Sequence, residues 1–520
     1  MKLSWFGVAL VWVCAIAGCR SEGGAPMPDG AAGDGVDLSA ATLDGGPTMM
    51  PGAKDHILLS GTIVTPDQII VGQVLVEGTT ITCVAAGTGC AGEAGAAGAT
   101  LIDTHGIISP GLIDTHNHIL FDIFDDDDWT PPMVYQNHDQ WTTDPRYQAM
   151  LDVKQCLSND SQGKPAWCAN VPYGTAAGSL RCEMDKFGEL KGLIAGTTSI
   201  VGLPGTSAAC FSSIARSIDV SQSGVGKDAV QTSAIFPPSK ATADGVCANF
   251  ASGTTAAFLV HCGEGTDAKS LAEFGKLGTA STTANCLYAP QTAITHGTAF
   301  GAAEFATMAQ MGMKLTWSPA SNVALYGATT NIPAALTAGV TVALAPDWSM
   351  GGSQNLLDEL RFANAWDDAH FGNLLTSRDL VLMTTQNAAK ALALGDRIGR
   401  IAVGYLADLV VFTGDESQPY DAILAATPKN VALVMVGGTV LYGDAMLAST
   451  GPAQPACELL DICGTPKFLC AATSDPANKL SQSYADIKAA LEQALTDADA
   501  QTPADGWSFA PLTPLVKCPP

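Results

Sequence analysis

The stretch Gly111-Leu112-Ile113-Asp114-Thr115-His116-Asn117-His118 carries the first clear statement this chain makes about itself. A short apolar run ending in His-x-His reads as a strand. Side chains alternate along a strand, so both imidazoles project from one face. Two imidazoles on one face can share one metal ion. The remaining ligands must then come from elsewhere in the 520 residues.

Outward from this run, residues 111 to 395 alternate short apolar runs with helix-like stretches. The runs span 196–202, 230–236, 256–261, 293–296, 313–317 and 340–347. They are continuous and apolar, as buried parallel strands are. Segments such as 270–277 and 302–311 lie between them and read as helices. Repeated strand-then-helix units predict an α/β fold. A closed (β/α)8 TIM-like barrel fits a region of this length. A doubly wound open sheet is the alternative, weakened because no Gly-x-Gly-x-x-Gly follows an early strand. Residues 56–110 are β-rich and punctuated by turns. Residues 396–448 are β-rich again, with strands expected at Ile398–Gly404 and Ala407–Phe412 and a hairpin over Val431–Leu441. Together the two flanks predict a small β-sandwich beside the barrel. Residues 449–520 hold Cys457, Cys463, Cys470 and Cys518 and an amphipathic helix near Tyr484 to Ala498, which reads as a stapled C-terminal extension.

Chemistry in a barrel occurs at the carboxyl ends of the strands. The predicted strand ends carry His116 and His118, then His261 followed by Cys262-Gly263-Glu264, then His296, and last Asp347. The chain has only eight histidines, and four of them fall at these ends. Singly, His261 or His296 would read as a hydrogen-bonded core residue, and Asp347 as a helix cap. In this order they read as one metal site with acid–base groups beside it. His56, His105, His138 and His370 lie off strand ends and read as structural or surface residues. Asp125-Asp126-Asp127-Asp128 lacks the Gly turn and distal Glu of a calcium loop and reads as a solvated acidic loop.

The ordered set Pro110–His118, His261-Cys262-Gly263-Glu264, Ile294–Gly297, Trp317–Asn322 and Ala345-Pro346-Asp347 resembles the amidohydrolase superfamily, as does Ile398–Phe412 with its return strand. The resemblance covers about residues 56 to 445. It implies a metal-dependent barrel with His116, His118, His261 and Asp347 as metal ligands. It further implies zinc, one ion per chain, with Fe2+ as the alternative metal. Glu264, His296 and Asp347 would be catalytic: Glu264 as proton shuttle, His296 beside the attacking water, Asp347 as acceptor of its proton. The His-x-x-Glu block resembles the mononuclear deaminase and chlorohydrolase-like branch. Binuclear relatives place a carboxylated lysine on the fourth strand, where the only candidate is Lys240 in a Pro-rich loop. The implied activity is hydrolysis of carbon–nitrogen, non-peptide bonds of a small molecule. Two alternatives are a binuclear amidase, peptidase or phosphotriesterase of the same fold, and a non-catalytic metal-binding surface lipoprotein. The Cys-bearing segment between Asp122 and Leu193 reads as a lid or substrate loop. Trp141, Arg146, Tyr147, Trp317 and Asn322 are candidate pocket residues, Asn322 foremost.

Composition bounds the partners. Hydrophobic residues make up 47% and charged residues 14%, enough to bury a large core. Net charge is −25 and no Lys/Arg cluster occurs, which excludes a nucleic-acid binder. Lys2 and the apolar run Leu3–Val13 form a leader too short to span a bilayer. It ends in Ile16-Ala17-Gly18-Cys19, which resembles a bacterial lipobox. Residues 1–18 are thus expected to be a lipoprotein signal peptide and Cys19 the lipidated first residue. Arg20 after it implies the outer membrane, and a cell-envelope location, through the membrane anchor. Loss of Lys2 leaves a mature charge of about −26. Residues 19–55, rich in Gly, Ala, Pro and Asp, read as a flexible tether. Beyond Cys14 and Cys19, thirteen of the 15 cysteines remain. That number suits an oxidising compartment. Cys83 and Cys90 flank a Gly-rich turn and are the expected disulfide. Cys262 is the expected unpaired thiol.

Overall fold

A computed structural model describes residues 46–518 apart from Gln162, Lys227 and residues 454–456 and 503–505. The signal peptide, Cys19 and most of the tether lie outside the described residues.

The N-terminal flank comprises β1 (Thr48–Met50), β2 (Ala53–Val64), β3 (Ile69–Glu77), β4 (Thr80–Ala86) and β5 (Ala99–Pro110). Residues 48–50 and 53–55, expected in the tether, are therefore strand. β1 pairs with β5 through Thr48–Asp103. Alternation sets the inward face of β2: Ile57, Leu59 and Ile63 are buried together with Val74, Val76 and Ile102.

Eight short parallel strands follow: β6 (Leu112–Asp114), β7 (Thr197–Ile200), β8 (Arg216–Ser217), β9 (Val230–Ser233), β10 (Ala257–Cys262), β11 (Thr292–His296), β12 (Lys314–Trp317) and β13 (Thr341–Leu344). They form two arcs, β6-β7-β8 and β9-β10-β11-β12-β13. A single parallel bridge, Asn117 to Asp347, joins the arcs beyond β6 and β13. The His116 carbonyl accepts the Asp347 N–H at 3.1 Å, and the Asp347 carbonyl accepts the His118 N–H at 2.7 Å. Ile113, Val201, Ile218, Val230, Leu259 and Ala343 pack together inside. The architecture is TIM-barrel-like. The expected closed barrel is not formed, because among the described residues no backbone pairing joins β8 to β9. β8 is only two residues long, and both pair with β7.

The C-terminal flank comprises β14 (Leu409–Phe412), β15 (Val431–Val436), β16 (Thr439–Asp444), β17 (Glu458–Ile462) and β18 (Thr465–Leu469). The flanks do not form two sheets. β5 pairs with β2 on one edge and β14 on the other, giving one ten-stranded sheet ordered β17-β18-β16-β15-β14-β5-β2-β3-β4, with β1 also on β5. The strand expected at Ile398–Gly404 is absent. Gly399 and Gly404 adopt φ of +81° and +89°, which bend the chain into turns.

Six disulfides staple the described residues, among them Cys83–Cys90, Cys457–Cys470 and Cys463–Cys518. Among those residues Cys262 alone carries a free thiol, and it is buried. The C-terminal helix Tyr484–Asp499, capped by Ser483, buries Ile487, Leu491 and Leu495. It packs on the segment between Asp122 and Leu193, where the Tyr173 hydroxyl donates to Asp497 at 2.6 Å.

Candidate metal centre

β6 runs straight into the site. The Asp114 carboxylate accepts the His116 N–H at 3.0 Å and the Asn117 amide at 3.1 Å, fixing the turn that presents both imidazoles. β10 delivers His261, whose Nδ1 lies 3.2 Å from the Ser233 carbonyl on β9. That contact directs Nε2 into the site. Asp347 follows β13 at φ +72°, and His296 ends β11 at φ +70°. Non-glycine residues at positive φ cost about 1 kcal/mol or more and persist where surrounding structure holds them. Here the backbone pair with His116 and His118 holds Asp347, and the Thr330 hydroxyl donates to the His296 carbonyl at 2.6 Å.

The ligand atoms of His116, His118, His261 and Asp347 lie within 4.8 Å of one another. His116 Nε2 sits 2.8 Å from Asp347 Oδ1. Both atoms are buried, yet among the described residues neither makes a hydrogen bond. Two buried lone pairs turned to one point are satisfied by a cation held between them. Three imidazole nitrogens and one carboxylate oxygen suit a divalent metal such as zinc. The residues present therefore fit a metal ion. Burial keeps the imidazoles neutral, with lone pairs free to bind: His116 and His261 are each pushed down to about 3. Lys240 is exposed at the start of the helix Lys240–Ser252 and is not part of this cluster.

Glu264 stands three residues beyond His261, in the loop after β10. Burial pushes its carboxyl up to about 7, against the opposing influence of His138 and a hydrogen bond from Tyr326. The Tyr326 hydroxyl donates to Glu264 Oε1 at 2.6 Å and accepts from Trp141 Nε1 at 2.8 Å. His296 Nε2 lies 3.9 Å from Glu264 Oε2. Asn322 is fully buried, and its Nδ2 lies 3.0 Å from His296 Nδ1. An amide donating to Nδ1 leaves the imidazole proton on Nε2, facing Glu264. Asn322 thus stands behind His296, and its amide is spent on aiming that ring.

Of the other pocket candidates, Trp141 and Tyr147 belong to an aromatic roof. Trp348 lies 5.5 Å from the His118 ring, Trp141 5.2 Å from Trp348, and Tyr147 5.0 Å from Trp141. Arg146 instead reaches the Asp127 carbonyl at 2.7 Å. Trp317 is buried and donates to Thr329 at 2.7 Å. Tyr326 and Trp348 escaped the sequence reading. Tyr326 lies four residues after Asn322 on one helix, Pro319–Tyr326, so a helical reading of that segment would have placed it near the site. The run Asp125–Asp128 is solvated only in part: Asp126 and Asp127 are exposed and Asp128 is half-buried. Asp125 is buried and pairs with Lys517 at 2.9 Å, and Asp126 accepts the Gly351 N–H at 2.6 Å.

The family model described as "Amidohydrolase family" matches residues 213–441. This region, under half of the chain, is similar to the amidohydrolase family. It holds His261, Glu264, His296 and Asp347, whereas His116 and His118 precede it. Among curated proteins, a 5-methylthioadenosine/S-adenosylhomocysteine deaminase of Thermococcus onnurineus is 29% identical over 161 residues, 29% of this chain and 38% of that protein. One from Halobacterium salinarum is 34% identical over 166 residues, covering 29% and 37%. This chain therefore spans under two-fifths of the length of these relatives. Among solved structures, a mutant atrazine chlorohydrolase of Arthrobacter aurescens TC1, complexed with zinc and atraton, aligns at TM-score 0.57 and 17% identity. The alignment covers 76% of this chain and 96% of that one. Guanine deaminase of E. coli aligns at TM-score 0.52 and 15% identity, covering 74% and 99%. At these identities the likeness is one of fold alone.

Proposed function

We propose that this chain is a zinc-dependent hydrolase with one ion per chain, acting on a carbon–nitrogen, non-peptide bond of a small molecule in the manner of deaminases and chlorohydrolases. The observation that carries the reading is the convergence of His116, His118, His261 and Asp347 around two orphan buried atoms, with Glu264 and His296 alongside. A bound divalent ion supplies Lewis acidity and makes water nucleophilic near neutral pH. The chain's own groups supply the rest. Glu264, its midpoint raised to about 7 by burial, exchanges its proton near neutral pH and can pass it to a leaving amine or ring nitrogen. His296 presents its Nε2 proton to the electrophile. Trp141, Tyr147 and Trp348 exclude bulk water above His118. The named relatives support a small-molecule substrate, and the exposed position of Lys240 favours the single-ion form over a binuclear one.

The test loads the protein with zinc and screens 5-methylthioadenosine, S-adenosylhomocysteine, guanine and triazines for ammonia or halide release. Metal analysis runs beside it. Turnover that disappears in Glu264→Gln while metal content stays near one equivalent is expected. Two ions per chain, or undiminished turnover in that variant, refutes the reading.

We further infer export and lipid anchoring at Cys19. Six disulfides suit an oxidising compartment, which supports export. Labelled palmitate should enter the full chain in a bacterial host and should fail to enter Cys19→Ser. Label in that variant contradicts the assignment.

A further inference from the structure

His138 lies on the roof segment, and its Nε2 sits 2.9 Å from Glu273 Oε1. Glu273 comes from the helix Ala268–Thr279 and is 2% exposed. Its second oxygen accepts the Gly263 N–H at 2.7 Å. Gly263 lies between His261 and Glu264. The roof also grips the next residues. Asn137 bridges Gly265 in antiparallel fashion, the Gln136 carbonyl accepts the Thr266 N–H at 2.8 Å, and the Asn137 amide donates to Asp267 at 2.7 Å. Gly265 adopts φ +142°, and a Cβ there would meet the Gln136 carbonyl at 2.4 Å. The loop that presents Glu264 is thus clamped on both sides of that residue by three consecutive roof residues.

His138 faces Glu273 and Lys269 from the helix, Glu264 from the loop and the imidazoles of His261 and His296 at the strand ends, and its own neighbour Asp139 lies 3.5 Å from Nδ1. Lys269 is half-exposed and bonded to Asp139. Glu264 faces His138, Asp347, Glu273, His296 and the Tyr326 hydroxyl. His138 is the group that most strongly favours the Glu264 carboxylate, and Glu273 in turn favours the protonated imidazole.

We propose that His138 is a positioning residue for Glu264: pinned by Glu273, it fixes the loop that presents the Glu264 carboxyl and sets a positive charge facing it. The proposal rests on Glu264 being the proton carrier. Through it, a residue of the roof, outside the amidohydrolase-matched region, adjusts the pH range in which that carrier works. As pH rises and His138 loses its proton, the Glu264 carboxylate loses its facing charge.

The test needs no known substrate. In the zinc-loaded full chain, the infrared carbonyl band of protonated Glu264 is identified by its loss in Glu264→Gln and titrated. His138→Gln keeps an amide for Glu273 but carries no charge, and it should move the Glu264 midpoint upward by about half a unit to one unit. The reciprocal measurement leaves His138 in place. By linkage, the His138 midpoint, followed by NMR of 13C-labelled histidine, should fall in Glu264→Gln by the same amount. Midpoints that stay put in either variant overturn the proposal, and so does a change confined to melting temperature. The proton-carrier reading fails separately, if Glu264→Gln retains turnover.

Discussion

Replacing Tyr326 with Phe removes one oxygen and tests the acid–base reading directly. The Tyr326 hydroxyl donates to Glu264 at 2.6 Å and accepts from Trp141 at 2.8 Å, both inside the core. A hydrogen bond to a charged group contributes about 1.5–3 kcal/mol. At about 1.4 kcal/mol per pH unit, its loss should raise the Glu264 midpoint by roughly one to two units above its present value of about 7. The sign for stability follows. Burial raises the folded-state pKa above the ordinary 4.5, so the native state holds its proton more tightly than the unfolded chain. The chain therefore loses stability as pH rises from about 4.5 to about 7, on the order of 3 kcal/mol from this group. In Tyr326→Phe that loss should continue one to two units further. The orphaned Trp141 N–H should cost about 1–3 kcal/mol at every pH. Urea unfolding of the metal-free protein between pH 4 and 9 measures both effects, and the alkaline limb of turnover measures the first again. A variant whose stability curve runs parallel to the wild type across pH 6–9 would show that Tyr326 does not govern Glu264.

The remaining expectations concern the shell around the metal. His116→Ala should lose metal binding while its far-ultraviolet spectrum stays native, since His116 Nε2 makes no hydrogen bond; retention of a full metal equivalent would remove His116 from the ligand set. Asn322→Ala frees the His296 ring and should lower turnover about ten- to hundredfold with metal content unchanged. Lys191 is buried and donates to the Asp122 carbonyl, Ser349 and Gln354, each at 3.1 Å, tying the chain after His118 to the chain after Asp347. Lys191→Met leaves these three acceptors without their donor and should cost about 1–3 kcal/mol of stability by chemical denaturation. Chelator added to the zinc-loaded protein should lower its melting temperature, by mass action.

The parts of the fold legible in sequence were those whose signal is local. β10 and β11 are apolar runs ending in histidine, and the helix Tyr484–Asp499 is amphipathic and capped by Ser483. β8 was invisible, because Arg216 and Ser217 carry neither length nor hydrophobicity. The single flank sheet was hidden for another reason. Whether β5 is shared between β2 and β14 depends on pairings about 50 and 300 residues distant, which no local pattern encodes. The site divides the same way. His116, His118, His261 and Asp347 stood out at strand ends, and the structure brings them together. Asn322 looked like a pocket residue because its partner, His296, is contributed by another strand. His138 read only as structural or surface, because its partner, Glu273, lies 135 positions along the chain.

The chemistry and its access are built from different parts of the chain. His261, Glu264, His296 and Asp347 lie within the matched amidohydrolase region, but the roof over them does not. Trp129, Trp141 and Tyr147 come from the segment after Asp122, and the C-terminal extension clasps that segment. Lys517 pairs with Asp125 and Asp127, Thr513 bonds Asp125, and Cys518 is bonded to Cys463. Asp126, in the same run, holds the Gly351 N–H four residues past Asp347. Thr513 and Lys517 are thus connected to the loop bearing a metal ligand through one acidic run. Cutting the Cys463–Cys518 link, as Cys463→Ser, removes a closed loop of 55 residues and a chain-entropy contribution of roughly 4 kcal/mol. If the clasp acts only on stability, the variant should bind zinc as the wild type does once folded. If it holds the roof, tryptophan fluorescence should redden as Trp129 and Trp141 gain water, and zinc should dissociate faster. Unchanged fluorescence and zinc release would confine the extension to stability.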